Sequence, residues 1–244
     1  YYAWNKANEQ DKVSNGVSSL FTMIEGAFAK ERLLRVLCDF VFYPDDSKKS
    51  EAIVCRYPQF FGANKMLENI KRHLRPEGDG KGGTYFGATG CGKTYTMLFL
   101  SRMIALRNPD AFNNPTIVII VDREDLDTQT AELFATAKKY LHEDDVRSIE
   151  SRADLAETLK DRPSGGVYIT SIQKFCEKIG LLSARSNIIC ISDEAHRTQT
   201  GVGSKLKKTE KGVFTTYGFA KYLRDSFPNA TYCGFTGTPI DETI

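Results

Sequence analysis

Residues 87–94 read Gly-Ala-Thr-Gly-Cys-Gly-Lys-Thr and match G-x-x-x-x-G-K-[ST], the phosphate loop. The spelling follows from what a loop must do to hold a polyphosphate. Gly87, Gly90 and Gly92 let the backbone turn tightly and approach the anion, so that successive N–H groups, those of Ala88, Thr89 and Cys91 among them, can point inward as a nest. A helix expected to begin near Gly92 adds its own unpaired N–H groups and the positive end of its dipole. Lys93 supplies a mobile charge for the terminal phosphates, and Thr94 offers a hydroxyl to Mg²⁺, which prefers oxygen ligands. Such a loop belongs between a strand and a helix. The chain provides both, as a short apolar lead-in at Gly83–Phe86 and a helical apolar run over Tyr95–Leu106.

The remaining chain alternates helical and extended patterns. Val17–Val41 carries Leu20, Phe21, Ile24, Phe28, Leu33, Leu34, Leu37 and Phe40 at three-to-four spacings, which predicts one or two helices used for core or linker packing. A turn at Pro44–Ser47 ends them, and Pro58 opens a helix to about His73. Thr116–Val121 is a continuous β-branched run, suited to a parallel strand covered on both faces. Helices are expected over Leu126–Tyr140, Ala153–Lys160 and Phe219–Phe227, and strands over Val167–Thr170, Asn187–Ser192 and Ala230–Phe235. Thr198–Lys211, polar and basic, reads as a mobile loop. Strands and helices alternating in this way predict a doubly wound parallel α/β sheet (51–244) behind a helical N-terminal segment (1–50). In such sheets ligands bind beyond the carboxyl ends of the strands, and the polar motifs fall at those ends.

Composition mainly excludes. A chain of 244 residues, 41% hydrophobic and 26% charged, is ordinary for a soluble α/β domain. It has no run of about 18 apolar residues for a membrane helix, and no signal-peptide opening. A formal charge of +2 gives no global basic field, so any nucleic-acid contact must be local. The six cysteines are scattered without a C-x-x-C pair and several lie in apolar runs; they read as reduced, mostly buried residues of a cytoplasmic protein. An opening Tyr1 instead of Met suggests a piece of something longer.

Two further positions point to chemistry. Asp193 and Glu194 follow an apolar strand, where a carboxylate can hold Mg²⁺ and its neighbour can orient the water that attacks a γ-phosphate. Adjacent carboxylates at a strand end can equally be a solvated turn, but the phosphate loop upstream favours the first reading. Gln59 can bond an adenine edge through both ends of its carboxamide; local sequence favours a solvated first-turn glutamine.

Asp193-Glu-Ala-His196, with Thr236-Gly-Thr238 after the next strand, resembles the first RecA-like motor domain of superfamily-two (DEAH-box) helicases and translocases. The flanks narrow this further: Val121–Gln129, Ser192–Gln199 and Gly234–Ile240 closely resemble the motor (R) subunit of type I restriction endonucleases, over about residues 15 to 244. The resemblance implies an ATP- and Mg²⁺-dependent motor that couples hydrolysis to translocation along double-stranded DNA, works with methyltransferase and specificity subunits, and leads to cleavage away from the recognition site. It implies catalytic roles for Lys93, Asp193 and Glu194, and an adenine contact for Gln59. It assigns coupling between nucleotide and DNA to His196, Thr236 and Thr238. Arg123, Thr170, Ser171, Gln173 and Arg197 would grip the DNA backbone, which positions a strand without reading it. Lys205, Lys207, Lys208 and Lys211 could add phosphate contacts, though a solvated basic loop is the plainer reading. A nuclease domain is expected before Tyr1, and a second motor domain bearing the arginine that completes the site after Ile244. Cys91 stands where serine is common in that family, a change the backbone should tolerate. Two alternatives stay open: the motor of another restriction or repair helicase, and a non-catalytic, nucleotide-responsive docking module that uses the N-terminal helices.

Overall fold

A computed structural model describes residues 4–45, 51–88, 90–121, 124–175, 180–193, 204–209, 212–217 and 219–237, the side chains of 124–129, 204–209, 212–217 and 219 excepted. Two helices come first, α1 (Ser18–Ala27) and α2 (Lys30–Asp39), followed by a two-residue strand pair, β1 (Val41–Phe42) and β2 (Ile53–Val54). Helix α3 (Tyr57–Arg72) has Pro58 in its first turn, as its fixed φ and missing N–H favour. It leads to β3 (Lys81–Phe86), the phosphate loop, and α4 (Lys93–Arg102), whose last turn widens into a π-helical turn over Met103–Arg107. Then come β4 (Thr116–Val121), α5 (Glu124–Ala135), α6 (Lys138–Leu141), β5 (Val146–Ser148), α7 (Arg152–Asp161) and β6 (Val167–Ser171). The described part closes with β7 (Ile188–Ser192), β8 (Ser204–Thr209), β9 (Gly212–Tyr217), α8 (Phe219–Ser226) and β10 (Thr231–Thr236).

Six of these strands form one sheet in the order β3-β10-β7-β4-β6-β5, and every pairing in it is parallel. The expected parallel α/β class is thus the observed one. All residues of β4, β6 and β7 are buried, as a sheet covered on both faces requires. The two faces sort by the period of two along each strand. Ile117, Ile119, Val121, Ile169, Ile189, Ile191 and Phe235 join a cluster with Phe60, Phe99 and Phe134, whereas Val118, Ile120, Tyr168, Ile188 and Cys190 join one with Leu155, Leu223 and Phe227. At about 1.5–3 kcal/mol for each fully buried large aliphatic side chain, these rows hold the sheet together.

Several expectations change. The strand before the phosphate loop begins at Lys81, ahead of the apolar lead-in. The helix expected to Tyr140 breaks after Ala135, because Thr136 gives its carbonyl to the N–H of Asp45 at 2.7 Å instead of to the next helical turn. The three-residue edge strand β5 was too short to show a pattern. The supposed loop over Thr198–Lys211 contains β8, which pairs antiparallel with β9. Val213-Phe-Thr-Thr-Tyr217 is β-branched and aromatic, and two residues separate the paired runs, a hairpin signal that the lysines obscured. The boundary placed at residue 50 is crossed by the β1–β2 pair, and Trp4, Val36, Phe40 and Phe42 share the cluster of Phe60 and Phe99. Helix α1, by contrast, leaves most of its apolar face in solvent, with Leu20, Phe21 and Ile24 at least half exposed.

Candidate nucleotide-binding site

The loop after β3 has the shape its residues dictate. Gly87 hydrogen-bonds from its N–H to the Thr236 carbonyl at 3.0 Å, so the loop leaves the sheet already anchored to β10. Gly90 and Gly92 have φ of +78° and +84°, a region that costs side-chain-bearing residues about 1–2 kcal/mol. Gly92 caps α4 in this left-handed conformation, and its carbonyl accepts the Thr96 N–H and the Thr96 hydroxyl, both at 3.1 Å. Helix α4 is buried from Thr96 to Arg102, so its N-terminus is aimed from a fixed base. Lys93 extends from its first residue back over the loop, with Nζ 3.3 Å from the Gly87 carbonyl. Thr94 stands beside it, partly exposed.

Cys91 and Tyr85 support the loop from below. A Cβ on Gly87 would lie 2.7 Å from the Cys91 sulfur and 2.7 Å from the Tyr85 ring, which explains glycine there. Burial, followed by the neighbouring Cys91 thiol, holds the Tyr85 phenol above its usual pKa.

Gln59 is buried, and both ends of its carboxamide are engaged. Oε1 accepts the Arg56 N–H at 2.7 Å, completing the capping box of α3, and Nε2 donates to the Gly92 carbonyl at 3.0 Å. The solvated first-turn reading is therefore incorrect. The group expected to meet an adenine ties α3 to the phosphate loop, with one N–H and one lone pair left over. A Cβ at Gly92 would fall 2.5 Å from Gln59 Nε2, so the contact is tight. This brace was legible only as a glutamine at the third position of a proline-led helix.

Asp193 follows β7, is buried, and donates its N–H to the Ile120 carbonyl at 2.8 Å. Register places it at the carboxyl edge that carries the loop: Ser192 aligns with Gly234, and Gly234 with Thr84. Asp193 thus continues β7 one step beyond that row, two strands from β3, or about 10 Å across the sheet. The side chain of Thr236, on the strand between, is buried. The donor set fits Mg²⁺: a carboxylate and a threonine hydroxyl are hard oxygen ligands, and this ion takes few protein ligands when phosphates supply the rest. Among the described residues no cluster of three or more His, Cys, Asp or Glu could hold a metal without them.

Thr170 and Ser171 do not present themselves as surface contacts. Both are fully buried at the end of β6, and neither hydroxyl has a hydrogen-bond partner. The expectation of an exposed strand end fails because the strand runs one residue further, to Ser171, before the 3₁₀ turn at Ile172–Phe175. Gln173, in that turn, is exposed. Thr89, Arg123, Glu194, His196, Arg197 and Thr238 lie outside the described residues.

A glycine-built cradle between a parallel strand and a buried helix, with a carboxylate on the same sheet edge, defines a phosphate-loop nucleotide-binding domain. Residues 58–243 match the SWI2/SNF2 ATPase family, and the chain belongs to that family. It is 36% identical to the type I restriction enzyme HindI endonuclease subunit of Haemophilus influenzae, over 97% of this chain and 23% of that protein. It is 35% identical to the putative MjaIXP endonuclease subunit of Methanocaldococcus jannaschii, over 93% of this chain and 20% of that one. The chain therefore spans about a fifth to a quarter of these relatives' length. Among solved structures it resembles the Sulfolobus solfataricus SWI2/SNF2 ATPase core in complex with dsDNA (TM-score 0.48, 16% identity, 83% of this chain and 34% of that one). Another is a nuclease-deletion mutant of the type ISP restriction-modification enzyme LlaGI with a DNA substrate mimic (TM-score 0.45, 16% identity, 76% and 18%). Among the described residues no helix is long and apolar enough to cross a membrane.

Proposed function

We propose that this domain is the ATP-binding motor of a type I restriction enzyme R subunit, coupling ATP hydrolysis to translocation along double-stranded DNA in a cytoplasmic complex with methyltransferase and specificity subunits. The observation that carries the reading is the glycine-rich loop between β3 and α4, with Asp193 on the same carboxyl edge. In this scheme the loop N–H groups and the α4 N-terminus bind the phosphates, Lys93 moves from the Gly87 carbonyl to the terminal phosphates, and Gln59 keeps Gly92 in place. Thr94 and Asp193 would hold Mg²⁺, which when bound neutralises charge on the transferred phosphoryl group. Glu194 is assigned the attacking water, and His196, Thr236 and Thr238 the link to DNA. Arg123, Gln173 and Arg197 are assigned backbone contacts on DNA, and Thr170 and Ser171 would join them only if the end of β6 opened.

Lys93→Ala tests the nucleotide half. At ATP·Mg²⁺ about a hundredfold above Kd, the unaltered protein should gain about 2.7 kcal/mol of stability. The variant should lose that gain in a thermal-shift assay, and an unchanged gain would remove Lys93 from the site.

A further inference from the structure

A second basic cleft lies at the other end of β3. It has a volume of about 340 Å³ and is lined by Arg75, Asp79, Lys81, Arg224 and Tyr232 among others. The cleft takes in Lys81, Gly83 and Thr84 of β3, so its near edge at Thr84 lies three residues, roughly 10 Å at 3.3 Å per residue, before Gly87 and the phosphate loop.

The charges here are unbalanced. Three cations face one carboxylate, an excess of two positive charges. That carboxylate is already engaged: Asp79 Oδ1 accepts the Lys81 N–H at 2.9 Å and lies 2.8 Å from His73 Nδ1. Neither Arg75 nor Arg224 pairs with a carboxylate among the described residues. Arg75 Nε is buried without any hydrogen-bond partner, so this guanidinium is not tied up within the described fold. Gly80 leaves room for it, since a Cβ there would sit 2.9 Å from the same Nε. Arg224 lies over the Tyr232 ring at 5.8 Å, which orients its planar fork on the cleft wall.

We propose that this cleft binds a phosphate group, presented either by the backbone of duplex DNA or by a free polyphosphate. Forked guanidinium donors match phosphate oxygens, the excess positive charge attracts an anion, and the volume suits a small ligand or a single phosphate group.

The test uses the intact protein carrying Lys93→Ala, which silences the phosphate loop. Pyrophosphate should raise its melting temperature, and Arg75→Gln with Arg224→Gln should abolish the rise. Neither side chain makes a hydrogen bond that the fold needs, and Lys81→Gln with Arg224→Gln provides a second variant that leaves the interior untouched. In a parallel arm, affinity for a short duplex is measured against salt. If DNA is the source, the arginine pair should flatten the log–log slope by about 0.9, the value for one lost phosphate contact. Loss of the pyrophosphate response with an unchanged slope would identify a free polyphosphate as the ligand. A pyrophosphate response that is absent or indifferent to all three cations, together with an unchanged slope, would overturn the proposal.

Discussion

The contact between Gln59 and the phosphate loop yields a prediction that separates two roles for one side chain. Gln59→Ala removes two hydrogen bonds, one to Arg56 N–H and one to the Gly92 carbonyl. Each is worth about 0.5–1.5 kcal/mol net. The groups left behind limit the damage. The Gly92 carbonyl keeps both bonds from Thr96, and Arg56 is exposed, so water can reach its N–H. No buried orphan is created, and the loss should be about 1–2 kcal/mol, or some 2–4 °C of Tm per kcal/mol for a domain of this size. Because the lost bond holds Gly92, which sets the first turn of α4, the variant should weaken binding of ATP, GTP and tripolyphosphate by similar factors. Competition against a fluorescent nucleotide, read alongside urea unfolding, measures both effects. If stability is unchanged and only ATP binds more weakly, the bracing role is wrong and Gln59 reads the base.

Three further outcomes follow from the same geometry. Gly90→Ala meets nothing within 4 Å and should cost only the left-handed backbone penalty of about 1–2 kcal/mol, whereas Gly92→Ala must also displace Gln59. Equal urea midpoints for the two would show that the brace yields freely. In alkylation at pH 8, exposed Cys38 and half-buried Cys91 should label, and ATP should slow Cys91; burial pushes the Cys233 thiol up to about 12 and Cys190 higher still, so labelling of either in the folded protein would contradict the core described above. Thr170→Val replaces a buried hydroxyl that has no partner, so it should be neutral or stabilising in urea unfolding, and a loss above about 1 kcal/mol would mean that the hydroxyl is bonded after all.

What the sequence made legible was whatever depends on neighbours in the chain. The β-branched run of β4 has one reading once a run that short must be buried, and the phosphate-loop glycines have one because their backbone angles admit little else. What stayed hidden depends on groups distant in sequence. Thr136 leaves a helix because Asp45 approaches it, ninety residues away in the chain. Gln59 turns inward because the Gly92 carbonyl lies within reach. Thr170 is buried because β6 stays paired with β4 to its last residue, where Ile120 and Val121 lie opposite Thr170 and Ser171. Nothing in the spacing of the strands gave their order either, and that order is what brings Asp193 near the loop.

The order also bears on how the protein is made. Strand β3 touches the sheet only through β10, the last strand described, while β4 to β7 pair among themselves without it. A ribosome therefore releases the phosphate-binding loop long before releasing the strand that fastens it. Until Thr236 emerges, the N–H of Gly87 has no carbonyl to bond, and nascent chains should acquire nucleotide affinity late and abruptly.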